Sequence, residues 1–428
     1  VGGGSYQEGM TTHLQGVPPG MLITEEEIYS DLLLRKPGQD ELTSPRIEPD
    51  IPVIYSGVNV ADTMLGVKNA GYTNGTPLVI LIPNLDRKFE HIEQYRTTNR
   101  TPRPGHASYA SFQKYGIYDD AIGAGFFSGR CTATVVAAGT VAKKILKEHG
   151  IEIIAYIKEA AGVSMKSMSI DEIKKRVSSF RKMRKEYDKI YKAIYASGRI
   201  KPTMRFLEKM AVLSEFEKIL SEVEPLKMNE NKIRKEYGIH PKLNCPDLEA
   251  ADEMYKKIIR VKDDGDSTGG VVEVIATGLP AGVGEPFFNK LSGELGRLLN
   301  INAVKAVEIG AGAKVKNMTG SQCNDELFSE NGKVKFKSNN AGGITGGLTT
   351  GQPVIVSITI KPTPTIAKDQ HTIDKLTLEN VALKAVTRRD PTIVPRAWPV
   401  AEAFAAIIIL DQYMQHLAYQ SMFTRKSA

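Results

Sequence analysis

The sequence predicts an α/β fold built in layers, from three observations. Short apolar runs, TPLVILIPN (76–84), GGVVEVIATG (269–278) and GQPVIVSITIKP (351–362), recur between glycine-rich turns. The last alternates apolar and polar side chains in the two-residue manner of a half-buried strand. Helical patterns lie between and after these runs: TATVVAAGTVAKKILKEHG (132–150), PFFNKLSGELGRLLN (286–300) and WPVAEAFAAIIILDQYMQHL (398–417). Strands with intervening helices suggest a layered α/β arrangement. At 428 residues and 41% hydrophobic, the chain is long enough to bury a substantial core. GVPPG (16–20) and GLPAG (278–282) echo one another ahead of segments that begin a second layer, which suggests a worn internal two-fold.

Residues 165–243 differ in texture and read as a basic helical hairpin inserted in a single domain spanning 1–428. The first helix runs through SIDEIKKRVSSFRKMRKEYDKIYKAIY, and Ser169 with Glu172 has capping-box spacing at its start. Ile173, Val177, Phe180, Met183, Tyr187 and Ile190 form an amphipathic stripe. Pro202 is expected to restart the second helix, since proline is tolerated in a first turn. The block holds about 20 Lys and Arg against about 11 Asp and Glu. The net charge of +7 is therefore regional, and the rest of the chain is roughly −2. A charged face used for packing or oligomer contact is the preferred reading, with RNA binding as the alternative.

The longest apolar stretch, AEAFAAIIIL (401–410), is too short to span a bilayer. With no signal-like segment ahead of the first motifs, a cytoplasmic protein is expected. Cys131, Cys245 and Cys323 form neither a metal spacing nor a disulfide framework, and no metal site is expected. Small buried thiols explain them.

Six stretches concentrate Arg, His, Asp and Gly: 34–46, 103–116, 123–133, 320–328, 338–351 with 361–365, and 388–396. Their cations are Arg35, Lys36, Arg46, Arg103, Arg130, Lys361, Arg388, Arg389 and Arg396. Guanidinium groups bind carboxylates and phosphates bidentately, and glycine turns expose backbone N–H groups to the same oxyanions. A ligand with several such groups is therefore expected. None of the stretches is a P-loop or a dinucleotide fingerprint. His106 follows a Pro-Gly turn, so its imidazole belongs to a loop and suits general acid/base work. Asp390, beside Arg388 and Arg389, is either an ion-paired carboxylate or a base tuned by those cations. The opening VGGGSYQEG fits a linker, a phosphate cradle or a catalytic loop on its own residues.

RPGH (103–106) with KYG (114–116), SGRCTA (128–133), VEIGAG (307–312) with GSxxND (320–325), SNNAGGITGG (338–347), KPTPT (361–365) and RRDPTIVPRAxPVxEA (388–403) together resemble the chorismate synthase family. RKPGQ with TxPR (35–46) and GxTxGxP (71–77) fit as well, in sequence order. The resemblance implies a β-α-β sandwich with antiparallel sheets flanked by helices, and a homotetramer. It implies a lyase that converts 5-enolpyruvylshikimate 3-phosphate to chorismate by 1,4-anti elimination of phosphate, with reduced FMN as cofactor. It further implies that His106 protonates the reduced flavin, that Asp390 assists hydrogen removal, and that Ser5 and Ser128 lie near flavin and substrate. Arg35, Arg46, Arg130, Arg388 and Arg389 would hold substrate oxyanions. Ser321, Asn324, Ser338, Asn339, Gly342, Gly343, Lys361, Thr363 and Thr365 would line the FMN site.

Three positions depart from the family pattern. Counting back from GVPPG aligns Gly3–Gln7 with the family's G-E-S-H-G, so Tyr6 replaces the histidine that donates a proton to the leaving phosphate. A phenol is a weaker acid than imidazolium at neutral pH. Ser108 replaces an acid, and Arg389 replaces a histidine and is placed to stabilise departing phosphate. These changes motivate two alternatives: a related phosphorylated enolpyruvyl substrate, or a flavin- or RNA-binding protein without lyase activity. No separate NAD(P)H motif is present, so an external flavin reductase is the expected electron source.

Overall fold

The computed structural model describes residues 1–43, 48–85, 99–120, 122–224, 228–384 and 390–422. The first layer contains β1 (Gly9–Leu14), helix α1 (Glu25–Arg35), β2 (Val53–Ser56) and β3 (Leu78–Pro83). Helix α2 (Thr132–Glu148), β4 (Glu152–Ala160), α3 (Ile170–Glu186) and α4 (Leu248–Asp263) follow. The second layer adds β5 (Gly270–Thr277), β6 (Val304–Ile309) and β7 (Val354–Ile360), then a hairpin of β8 (Gln370–Ile373) and β9 (Asn380–Leu383). Helix α5 (Val394–Met422) ends the described chain. The first sheet has the order Gly2–Gly3, β1, β3, β2, and the second Val163–Ser164, β4, β5, β7, β6. Their strand pairs are antiparallel.

The strands and helices expected at 76–84, 132–150, 269–278 and 351–362 are present with trimmed ends, and the helix expected at 398–417 is extended to Val394–Met422. The run 286–300 yields only a short helix, Leu291–Gly296, and a 3-10 turn, Arg297–Asn300. α2 and α5 pack closely because small residues face each other. A Cβ added at Gly139 would lie 2.2 Å from that of Ala403. Trp398, Ile409 and Val141 are buried in the same core. Burial raises the thiol pKa of Cys131, and that of Cys245 to about 12, which keeps both protonated and inert. Among the described residues, no helix is long and apolar enough to cross a membrane.

The echo between GVPPG and GLPAG extends into three dimensions. Leu14 lies opposite Leu78 and Gly9 opposite Pro83. In the second sheet, Ala276 lies opposite Val354 and Val271 opposite Thr359. One constant shift in each strand superposes the two registers. The turns match as well. Thr73 Oγ1 donates to Pro18 O at 2.7 Å and accepts from Met21 N at 3.0 Å. Thr349 Oγ1 donates to Pro280 O at 2.6 Å and accepts from Val283 N at 2.9 Å.

The basic block is more broken than a hairpin. After α3 come the short helices Lys189–Tyr191, Phe206–Ser214, Phe216–Ser221 and Glu230–Tyr237, with a π turn at Lys192–Ala196. Pro202 sits in a turn, and the next helix starts four residues later with Arg205 at its cap. Ser169 caps α3 by accepting from Glu172 N. The cations of the block face the acids of α1 and the turn after it. Lys209 pairs with Glu25, Lys185 with Glu26, Arg181 with Asp31, Arg184 with Asp40 and Lys242 with Glu41. Buried Asp188 reverses the polarity by holding Lys36, and Tyr29 OH donates to it at 2.9 Å. Much of the regional charge is therefore used in packing against α1.

Candidate active site

Ser5 and Tyr6 occupy the centre of a turn closed by Gln7 N donating to Gly4 O at 3.2 Å. Asn84, just past β3, holds this turn from beneath, its Nδ2 donating to Gly4 O at 2.9 Å and Gln7 O at 2.8 Å. Ser5 is buried, and Ser128 Oγ lies 3.3 Å from Ser5 Oγ. Ser128 also caps the short turn Gly129–Cys131 by accepting from Arg130 N. The structure thus brings Ser5 and Ser128 together beside Tyr6.

Below them lies a buried ionic core. Arg35, at the end of α1, donates from Nη2 to Asp50 at 2.6 Å and from Nη1 to Gly129 O and Arg130 O at 3.1 and 3.2 Å. Arg130 pairs with the other oxygen of Asp50, lies 3.5 Å from Glu48, and donates from Nε to Asn84 at 3.1 Å. Arg35, Arg130, Glu48 and Asp50 are all buried. Arg35 therefore works mainly within the protein, organising Arg130 and the 128–131 turn. Glu48, Asp50 and Asn84 carry no sequence signal of this role, although Glu48 and Asp50 follow closely after Arg46.

Arg396 links this core to Asp390. Its Nε donates to Arg35 O at 3.0 Å, and its Nη1 lies 3.5 Å from the Asp390 carboxylate. Thr363 Oγ1 donates to Asp390 O at 2.7 Å. Arg46, Arg388 and Arg389 lie outside the described residues.

A cationic cluster surrounds His106. Lys361 Nζ donates to Gly105 O, and Arg103 Nη2 lies 3.4 Å from His106 Nε2 and Nη1 3.5 Å from Thr365 Oγ1. Ser108 N donates to His106 Nδ1 at 3.2 Å, which leaves the neutral imidazole's proton on Nε2. Ser108 Oγ in turn accepts from Arg103 N at 2.9 Å, so the residue that departs from the family pattern closes this loop. Burial, then the Arg103 and Lys361 cations, push the His106 pKa down to about 4. Burial and then Lys305 lower that of Lys361. This chemistry suits a phosphate or another polyanion, whose charge would relieve both effects.

The remaining residues expected to line the cofactor site fall at the other end of β7, about 20 Å away by strand rise. Ser338 Oγ donates to Asp325 at 2.5 Å, and Asn340 N and Ala341 N donate to the same carboxylate at 2.7 and 2.9 Å. Burial would raise the Asp325 pKa, but Ser338 and these two amides bring it below the ordinary value. Asn339 accepts from Gly343 N at 2.7 Å and donates to Pro353 O at 2.9 Å. Gly342, at φ +62°, would place a Cβ 2.3 Å from Gly310 N. Ser338, Asn339, Gly342 and Gly343 therefore close loops against one another. Ser321 and Asn324 are exposed beside them. Only Lys361, Thr363 and Thr365 of that expected set join His106.

The family model for chorismate synthase matches residues 1–414. The chorismate synthase of Acetivibrio thermocellus is 37% identical over 406 residues, 94% of this chain and 86% of that protein. That of Pyrococcus abyssi is 35% identical over 427 residues, 100% of this chain and 97% of that protein. A chorismate synthase crystal structure superposes with a TM-score of 0.59 at 26% identity, covering 97% of this chain and 91% of that one. The antiparallel sheets, the joined Ser5–Arg130 and His106–Asp390 regions and these full-length likenesses agree, and the chain belongs to the chorismate synthase family.

Proposed function

We propose that the chain converts 5-enolpyruvylshikimate 3-phosphate to chorismate with loss of phosphate, using reduced FMN. The observation that carries this reading is the bridge through Arg35 and Arg396, which joins Ser5, Ser128 and Arg130 to Asp390. The residues fit an anionic flavin at one end of β7, where Lys361, Arg103, His106 and Thr365 offer cations and hydrogen-bond donors. Reduced flavin, when bound, supplies electron density to the substrate as phosphate departs. His106 holds a proton on Nε2, and an anion beside Arg103 and Lys361 raises its basicity. Arg130 presents positive charge next to Ser5 and Ser128, while Thr363 and Arg396 hold the Asp390 segment. Tyr6, standing where the family pattern has a histidine, would donate a proton to the leaving phosphate.

Anaerobic incubation of the protein with substrate and chemically reduced FMN tests the reaction. Chorismate formation is expected, and its absence despite tight binding of both ligands would overturn the reading in favour of a related phosphorylated enolpyruvyl substrate. Tyr6→His should preserve or raise turnover, because imidazolium is the stronger acid at neutral pH. A large loss would show that Tyr6 has a different task.

The homotetramer belongs to the same proposal, as do a separate flavin reductase and a cytoplasmic setting. Phe287 and Phe288, 73% and 91% exposed, line a surface groove of about 490 Å³ with Tyr419 and Met422. Such an exposed apolar patch suits contact between copies of the chain. Phe288→Asp should shift the sedimenting mass downward; a monomeric wild-type protein would refute the contact.

A further inference from the structure

The matched registers of β1 and β5 continue into the loops that precede them. Carrying the same strand shift backwards places Ser267 at the position of Ser5 and Thr268 at that of Tyr6. GGGSYQ (2–7) in the first half thus corresponds to DGDSTG (264–269) in the second. We propose that the 265–269 loop is the second-half counterpart of the active-site turn, and that Ser267 is a positioning residue for Asp390.

The two loops do complementary work at the ends of corresponding strands. In the first half, Asn84 past β3 holds the turn that carries Ser5 and Tyr6. In the second half the loop itself does the holding. Ser267 Oγ donates to Thr363 O at 2.7 Å, and Thr268 N donates to Pro391 O at 2.9 Å. Thr363 Oγ1 then donates to Asp390 O at 2.7 Å, so one loop ties both segments that bracket Asp390. Asp266 stiffens the loop by accepting from Ser267 N at 2.8 Å while paired with Lys368 at 2.9 Å. The approach is tight enough to require glycine. A Cβ on Gly269 would fall 2.2 Å from Ile360 O, at the exit of β7.

This assignment rests on the proposed reaction for its kinetic test but not for its structural one. In Ser267→Ala, kcat should fall roughly five- to tenfold, as expected for one lost hydrogen bond, while KM and the FMN dissociation constant stay within about twofold. Ser267→Thr keeps the hydroxyl and should recover most of the loss. Independently of turnover, hydrogen exchange at the Thr363, Thr365 and Asp390 amides should quicken in Ser267→Ala and return in Ser267→Thr. Unchanged kcat in Ser267→Ala, or an equal loss in both variants, would overturn the proposal. If the wild-type protein makes no chorismate, the exchange experiment decides alone, and unaltered exchange in Ser267→Ala would overturn it.

Discussion

Asp50→Asn should destabilise the protein by about 3–5 kcal/mol, the loss expected when one partner of a buried ionic cluster is removed. Asp50 is fully buried and accepts from both Arg35 and Arg130. With an amide in its place, two buried guanidinium groups retain Glu48 as the nearby acid, 3.5 Å from Arg130. The backbone does not confuse the result. Asp50 has φ +54°, a conformation that asparagine tolerates well, so the substitution isolates charge from strain. Urea unfolding would measure the loss, and a change below about 1 kcal/mol would show that the cluster relaxes by another route. Activity should fall with stability, because the same carboxylate orients Arg130 beneath Ser128 and the Ser5–Tyr6 turn.

His106→Ala should cost about 10²- to 10⁴-fold in kcat, the range of a lost acid/base group. The fold should be little affected, since the side chain sits on a half-buried loop outside the main core. The pH dependence has a definite sign. Folding lowers the His106 pKa from 6.5 to about 4, so between these values the unfolded chain binds the extra proton. His106 therefore weakens the native state as the pH falls through that window, and adds nothing further below it. An anion bound beside Arg103 and Lys361 should reverse the shift. Calorimetry of FMN binding near about pH 5.5 in two buffers should show proton uptake that exceeds that of His106→Ala. Equal uptake in both proteins would remove His106 from the anion site.

The strands and long helices were legible because their periodicity is strong and local. The arginines were legible as a population, but their individual duties were not. Arg35 and Arg130 reach a shared carboxylate 15 and 80 residues away, a pairing that only the tertiary fold creates. Gly342 and Gly343 stand out in the sequence only as part of a glycine-rich stretch, and nothing local says what their backbone packs against. Their neighbour is the backbone of Gly310 and Pro353. The basic block follows its preferred reading as a packing face, but its partners could not be named from sequence: α1 and the turn after it supply the acids.

The contact between Arg396 and Arg35 also has a consequence for the birth of the enzyme. These residues stand 361 positions apart, and their link joins the first active-site segment to the last. A ribosome must deliver nearly the whole chain before that link can close. The first sheet can form while synthesis continues, but the assembled centre must wait for α5. Maturation of the site is therefore a late, long-range event, and the unfinished chain presents open surface that favours misassembly.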